Sequence, residues 1–193
     1  MVFVFLVYAF SQKKRKKLKK YAIAFLLFFV STSAQAKYSK LAKHAGVSHA
    51  TMKKIVKKLV VIESSTGNYY VSNKRSGAYG RYQVMPKTAK FYAKKLKIPY
   101  NKWRKPYNQD RIFNAIMKDN IRSLKKNGHK VTAFSIYGSH QQGAGGFNAI
   151  LKNKKLTKKM ERNLRQNLPK RLKYTSKDNL RKTWLRYWKK RLA

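Results

Sequence analysis

The sequence contains no cysteine and very few acidic residues. Without cysteine among its 193 residues, the chain has no disulfide, no thiolate metal site and no cysteine nucleophile. Carboxylate chemistry is limited to five side chains, which are Glu63, Asp110, Asp119, Glu161 and Asp178. So few oxygen ligands argue against an all-oxygen Mg²⁺ or Ca²⁺ site. We therefore predict a protein that uses neither a metal nor another cofactor.

Basic residues are abundant instead, since 48 lysines and arginines give a formal net charge of +43. A charge of this size calls for an anionic partner, and the candidates are nucleic acid, membrane headgroups and an acidic cell-wall polymer. A merely solvated lysine-rich surface is the alternative. Hydrophobic residues still make up 43% of the sequence, which is enough to build a folded core.

The first 36 residues have the pattern of an export signal. The basic run KKRKKLKK over residues 13–20 precedes an uncharged apolar stretch over residues 21–30, and STSAQA then ends in Ala34-Gln35-Ala36. These are the three parts of a secretory signal peptide. We predict cleavage after residue 36, a domain over residues 37–193, and a location in the periplasm or cell envelope. The apolar segment MVFVFLVYAF ahead of the basic run leaves an over-extended start or an uncleaved anchor as alternatives.

Apolar residues recur at helical spacing through most of residues 37–193. The pattern predicts a helix pair over 39–62 that is interrupted near Gly46 with Ser48 as N-cap, followed by helices over 86–96, 108–126, 130–136, 147–152, 158–167 and 177–191. The stretch 63–80 is rich in Ser, Gly and Asn and predicts a loop or a short hairpin. The fold class is therefore mainly α, with basic helices from about residue 152 onward.

An ordered set of specific residues follows the helix that ends near residue 62. Residues 62–89 read IESSTGNYYVSNKRSGAYGRYQVMPKTA. This run resembles the soluble lytic transglycosylase domain, a helical relative of the lysozymes. The matching positions are Glu63-Ser64, Ser72, Gly77-Ala78-Tyr79-Gly80, Gln83 and Met85-Pro86-Lys87-Thr88-Ala89. The resemblance covers most of residues 37–151 and implies a lysozyme-like helical domain.

The resemblance also implies a reaction and the residues that perform it. It makes Glu63 the catalytic acid and base, and it assigns substrate binding to Ser64, Ser72, Gly77, Ala78, Gly80, Gln83 and Met85. The substrate is the peptidoglycan glycan, cleaved between N-acetylmuramic acid and N-acetylglucosamine. The 6-hydroxyl of the muramic acid closes onto its own anomeric carbon, so the product carries a 1,6-anhydro end. Peptidoglycan is the implied partner, and the enzyme is expected to act as a monomer.

The residues around Glu63 support this reaction independently of the resemblance. Glu63 follows the apolar segment Leu59-Val60-Val61-Ile62, and burial there raises the pKa of a carboxyl group so that it can act as an acid. Ordinary glycosidases use a pair of carboxylates, yet no acid occurs between Glu63 and Asp110. An acid-poor chain therefore suits the single-glutamate reaction. A muramidase-type hydrolase that takes its second carboxylate from Asp110 or Asp119 is the alternative enzyme.

Two departures from the family pattern leave site assignments open. Two extra residues lie between Ser72 and Gly77, which makes Ser76 an alternative to Ser72 as the functional hydroxyl of the loop. Ser139-His140-Gln141 replaces the family's tyrosine-asparagine segment. His140 is therefore expected to contact the sugar or Glu63, with Gln141 beside it, unless it is a loop residue that bonds to the backbone.

Two other functions compete with catalysis. Residues 41–58 resemble a helix-turn-helix, which would make the chain a DNA-binding protein with His49, Lys53 and Lys54 facing the groove. The basic helix over residues 177–191 carries Trp184, Leu185 and Trp188, a composition typical of a non-catalytic cationic protein that binds the envelope. These three side chains share one helical face, however, which favours a closing helix packed on the domain.

Overall fold

The computed structural model describes residues 38–74 and 76–193. The predicted export signal lies outside these residues, so its cleavage stays a prediction. A compact unit spans Leu41–Ala193. None of the described helices has the length and apolar composition needed to cross a bilayer.

Helices joined by short connections make up most of the described chain, which confirms the predicted mainly α class. Helix α1 covers residues 38–45. The helices that follow are α2 (His49–Ser64), α3 (Pro86–Lys95), α4 (Pro106–Lys126), α5 (Ala133–Gln142), α6 (Ala144–Leu151), α7 (Lys158–Gln166) and α8 (Lys177–Leu192). Short 3₁₀ turns occur at Tyr100–Lys102 and Lys170–Leu172.

Helix α2 carries Glu63 near its C-terminal end. Ser48 caps its N-terminus as predicted, because the Ser48 Oγ accepts a hydrogen bond of 3.1 Å from the Thr51 backbone N–H. The helix ends where Ser65 adopts a positive φ of 56°. Its apolar face is buried and consists of Met52, Ile55, Val56, Leu59 and Val60. This face fixes the direction of α2 and so the position of Glu63 in the domain.

The segment between α2 and α3 is irregular, as the sequence indicates. Isolated bridges pair Ser72 with Tyr79 and Tyr79 with Val84, so the segment folds back on itself without a regular strand. Pro86 then occupies the first turn of α3, where its missing N–H and fixed φ fit a helix start.

Helix α5 packs against α2, α4, α6, α7 and α8. A capping box between Thr132 and Ser135 starts it, and it runs to Gln142. The predicted helix over 130–136 is therefore wrong at both ends, and Ser139-His140-Gln141 lies on a helix rather than in a loop. Gly138 interrupts the apolar pattern of α5. No side chain fits at this position, because a Cβ there would lie 2.2 Å from Phe147 Cε2.

Helix α8 closes the domain against α5 and α7. Its buried face repeats at intervals of about four residues and comprises Leu180, Thr183, Trp184, Trp188 and Leu192. The predicted packing of Trp184 and Trp188 is confirmed. Leu185 is only partly buried, because it is rotated by about 100° from Trp184 on the helix.

Candidate active site

A cleft of about 840 Å³ opens at the C-terminal end of α2. Its walls come from Glu63, from the irregular segment before α3, and from residues of α4, α5 and the end of α7. Residues far apart in the sequence therefore meet at one surface. The cleft is wide enough to take a sugar chain, since ligand pockets range from roughly 300 to 1,000 Å³.

Glu63 lies in this cleft with one fifth of its side chain exposed. Burial raises the pKa of its carboxyl group above the usual value of 4.5, and the charge of His140 opposes this rise without cancelling it. A carboxyl group with a raised pKa keeps its proton to a higher pH and can donate it. The environment of Glu63 therefore suits a general acid.

Ser64 anchors the end of α2 from beneath the cleft. Its Oγ donates to the Val60 carbonyl oxygen at 3.2 Å and accepts from the Gly67 N–H at 3.2 Å. Ser64 is buried, so its side chain holds the backbone next to Glu63 rather than facing the cleft.

His140 faces Glu63 from α5. Its Nε2 lies 3.6 Å from the Glu63 Oε1, and its side chain is 12% exposed. The imidazole ring makes an edge contact with Phe113, with ring centroids 6.4 Å apart. His140 is thus a cleft residue held on a helix, and the loop alternative does not apply to it.

The irregular segment forms the wall opposite α5 with Ser76, Ala78, Gln83 and Met85. Gln83 has a positive φ of 44°, and its Nε2 donates to the Gly80 carbonyl oxygen at 2.9 Å. Met85 is 45% exposed and offers a flexible apolar side chain to a ligand. The wall therefore presents polar side chains, from Ser76 and Gln83, and apolar ones, from Ala78 and Met85, to the cleft.

Three other residues expected in this segment, Ser72, Gly77 and Gly80, do not line the cleft. Ser72 forms the bridge with Tyr79, whereas Ser76 lines the cleft. Gly77 and Gly80 have φ values of 73° and 79°, and they shape the chain without lining the cleft. A Cβ at Gly80 would lie 1.8 Å from the Gln109 Oε1, so glycine is required here for space as well as for backbone conformation.

Asp178 does not line the cleft, and the three other acids are bound to other groups. Asp119 lines the cleft, but it accepts from Tyr92 at 3.1 Å and from Lys95 at 2.6 Å. Asp110 accepts from Tyr82 at 2.5 Å and also from Tyr69. Glu161 pairs with Lys177 at 3.1 Å. Glu63 is therefore the carboxyl group of the cleft that is left to act on a substrate.

The described residues offer no metal centre: within 38–74 and 76–193, no three His, Asp or Glu side chains lie close enough together to bind a metal ion.

The comparison with known families agrees with this geometry. The family model described as Transglycosylase SLT domain matches residues 40–167, which is well over half of the chain. The chain belongs to the transglycosylase SLT family. Comparison with curated proteins and with solved structures found no match.

Membership of the SLT family confirms the resemblance that the motif after residue 62 indicates. The family implies lytic transglycosylase activity on peptidoglycan. Residues 41–58 lie inside the matched part of the SLT chain, so the family accounts for the helix pair that resembles a helix-turn-helix. Residues 168–193, which include α8, lie beyond the match.

Tyr137 and Asn120 are among the residues of the SLT cleft that were not predicted from the sequence. Tyr137 lies on α5 one turn before His140 and lines the cleft. Burial and the charge of Glu63 both raise the pKa of its hydroxyl, so it stays a neutral phenol. Asn120 lines the cleft from α4. A helix extended to residue 142 would have placed Tyr137 on the face of His140, because residues three apart are neighbours on a helix.

We expect Glu63→Gln to raise the melting temperature of this SLT protein near neutral pH. The pKa of Glu63 is raised in the folded protein, so the unfolded chain releases this proton at a lower pH. The folded state is therefore penalised as the pH rises above 4.5, and the penalty is complete above the raised pKa. Thermal melts should show a gain at pH ~7 that vanishes near pH ~4.

Asp119→Asn is the matched control, with the opposite sign. Burial raises the pKa of Asp119, but hydrogen bonds from Lys95 and Tyr92 and the charges of Lys95 and Arg122 outweigh it and bring the pKa below 3.8. Its carboxylate therefore stabilises the fold above that pH, and this contribution is lost as the pH falls through the lowered pKa. Equal shifts of the same sign in both variants would contradict the assignment for Glu63.

Proposed function

We propose that the chain is a lytic transglycosylase that cleaves the bond between N-acetylmuramic acid and N-acetylglucosamine without water, with Glu63 as acid and then as base. One observation carries the proposal: Glu63 is a largely buried carboxyl group with a raised pKa in a large cleft, while Asp119 is held by Tyr92, Lys95 and Arg122. A two-carboxylate hydrolase needs a second carboxylate that is free to act.

The first step transfers the Glu63 proton to the glycosidic oxygen. The bond between this oxygen and C1 of the muramic acid breaks, and N-acetylglucosamine leaves with the proton. The carboxylate of Glu63 remains, and positive charge develops at C1. His140, with its Nε2 3.6 Å from the Glu63 Oε1, supplies a polar partner to this carboxylate.

The second step returns a proton to Glu63. The 6-hydroxyl of the same muramic acid attacks C1 and gives its proton to the Glu63 carboxylate, which forms the 1,6-anhydro ring and restores the enzyme. The nucleophile is already tethered to the reacting sugar, so proximity replaces an activated water. One carboxyl group thus serves both proton transfers.

The cleft wall supplies the binding groups for the glycan. Ser76, Ala78, Gln83 and Met85 line it on one side and Gln141 on the other. We assign sugar contacts to these residues. Ser64, Ser72, Gly77 and Gly80 are assigned to shaping the wall, since none of them lines the cleft.

The basic surface suits the same substrate. Peptidoglycan carries peptide carboxylates, so a chain of net charge +43 concentrates on the polymer at low ionic strength. We propose that the protein is exported and works as a monomer in the envelope. A DNA-binding protein or a non-catalytic cationic protein would bind anionic polymers but leave the glycan intact.

Digestion of purified peptidoglycan, followed by mass spectrometry, tests the reaction. We expect 1,6-anhydro-muropeptides as the main product, because the substrate's own hydroxyl is the nucleophile. Hydrolysis would add one water and leave reducing ends. A digest that contains chiefly reducing ends would replace the transglycosylase with the muramidase, and an undigested glycan would favour the non-catalytic alternatives.

A further inference from the structure

A chain of hydrogen bonds leads from α8 into the catalytic cleft. The Trp184 Nε1 donates to the Gln141 Oε1 at 3.1 Å, and the Gln141 Nε2 donates to the Tyr137 hydroxyl oxygen at 2.5 Å. Tyr137 and Gln141 line the cleft together with Glu63. Trp184 lies outside the part of the chain that matches the SLT family.

The direction of this chain is fixed by its first member. An indole N–H can only donate, so the oxygen of the Gln141 amide must face Trp184. Gln142 adds a second donor, since its Nε2 lies 3.0 Å from the same oxygen. The amide nitrogen of Gln141 therefore faces Tyr137 and donates to it. Reversing the amide would set its N–H groups against the Trp184 N–H and lose that bond.

The orientation of the amide decides what the Tyr137 hydroxyl can do. A phenol oxygen that accepts from Gln141 keeps its own O–H for another acceptor. With the amide reversed, that O–H would instead be used by the Gln141 oxygen. Because Tyr137 is buried and its hydroxyl stays protonated, it is a permanent donor at the cleft surface.

Packing holds both ends of the chain in place. Trp184 is fully buried and contacts the rings of Phe134 and Phe147 at centroid distances of 6.1 and 6.3 Å. The ring of Tyr137 packs on Trp188, the next buried tryptophan of α8, at 4.5 Å. Neither ring can turn without disturbing the interface between α5 and α8.

We infer that Trp184 and Gln141 are positioning residues that direct the Tyr137 O–H into the cleft, where it donates a hydrogen bond to the glycan beside Glu63. The inference rests on the proposed function, since it gives Tyr137 a substrate contact in the same cleft. It also gives the C-terminal helix a part in catalysis: the Trp184 N–H of α8 fixes the direction of the Gln141 amide, because, unlike the Gln142 amide, an indole can only donate.

The test compares Trp184→Phe with Trp188→Phe in the full chain. Each variant keeps an aromatic ring and loses one buried indole N–H donor. The Trp188 N–H donates to the Asn167 carbonyl oxygen at 2.9 Å. We expect Trp184→Phe to lower kcat on soluble glycan strands by about three- to tenfold with KM unchanged. Trp188→Phe keeps a ring against Tyr137 and leaves both Gln141 bonds intact, so it should keep kcat within about twofold, although both variants lose similar thermal stability.

A double-mutant cycle separates positioning from mere packing. In a Tyr137→Phe background no hydroxyl remains to be directed, so adding Trp184→Phe should leave kcat unchanged. The inference is overturned if Trp184→Phe lowers kcat by the same factor with and without the hydroxyl, or if the two tryptophan variants have equal kcat.

Gln141→Met provides a second route if Trp184→Phe does not fold. Methionine cannot donate to Tyr137, so we expect the same loss of kcat, and this loss should disappear in the Tyr137→Phe background. Wild-type kcat in Gln141→Met, or an equal loss with and without the Tyr137 hydroxyl, would overturn the inference. Failure of the proposed function would look different, because the wild-type protein would then release no anhydro product. Failure of this inference leaves wild-type cleavage intact and affects only the ratios between variants.

Discussion

Replacing Glu63 with glutamine is expected to lower the rate of glycan cleavage by about 10²–10⁴-fold while the fold is retained. Both proton transfers pass through the Glu63 carboxyl group, and an amide of the same shape can neither give nor take the proton. Initial rates of release of soluble muropeptides from purified peptidoglycan measure the effect. Far-ultraviolet circular dichroism shows whether the variant keeps its helices.

Asp119→Asn is the control for this loss, because Asp119 is the other carboxylate of the cleft wall. Its oxygens accept hydrogen bonds from Tyr92 and Lys95, so we expect the asparagine variant to cleave glycan within about threefold of wild type. A loss in Asp119→Asn as large as that in Glu63→Gln would indicate a catalytic pair and a hydrolase. Wild-type cleavage by Glu63→Gln would remove Glu63 from the mechanism.

Replacing Gly80 with alanine is expected to destabilise the protein by about 2–5 kcal/mol. Left-handed backbone costs a residue with a Cβ roughly 1–2 kcal/mol, and Gly80 has a φ of 79°. The new methyl group would also lie 1.8 Å from the Gln109 Oε1, and overpacking adds about 1–3 kcal/mol. Urea unfolding of the two proteins measures the difference.

Gln109 cannot move aside to relieve this contact. Its buried amide accepts from the Arg81 N–H at 3.2 Å and donates to the Tyr69 and Arg104 carbonyl oxygens at 2.9 and 2.6 Å. Any displacement breaks bonds that hold the irregular segment to the start of α4. The cleft wall that carries Ala78 and Gln83 is therefore expected to lose order along with stability.

Gly128→Ala isolates the backbone part of the cost. Gly128 has a φ of 74°, and a Cβ there meets no atom within 4 Å. We expect this variant to lose only about 1–2 kcal/mol. Equal losses at Gly80 and Gly128 would mean that the contact with Gln109 contributes nothing.

Local features of the sequence were enough to predict the helical class, most helix positions and the choice of Glu63 as the candidate acid. These features are local: apolar periodicity places α2 and α4, Ser48 caps α2 through a neighbour three residues away, and Pro86 starts α3. The motif from Glu63 to Ala89 is contiguous, so the family could be identified from its order alone. None of these conclusions needs to know which parts of the chain meet.

Which of the expected side chains lie near Glu63 depends on how distant parts of the chain pack together. Ser76 lines the wall in place of Ser72 because of the way the irregular segment folds back on itself. Hydrogen bonds from the distant Gln109 side chain to Tyr69 and Arg81 hold this segment in place. The last turn of α5 was missed because the residues from Ser139 to Gln142 are polar. A helix that lines a cleft on one side and packs on another has no single apolar stripe.

The link from α8 to the cleft lies furthest from what a sequence pattern contains. Trp184 and Gln141 are 43 residues apart, and nothing in the local sequence of either indicates a bond between an indole and an amide. Periodicity shows that Trp184 is buried, whereas its partner depends on the packing of α8 on α5. The burial of Trp184 can be predicted from the apolar pattern of α8 alone. The direction of the hydrogen bonds depends on how α8 packs on α5, so it can be seen only in the folded domain.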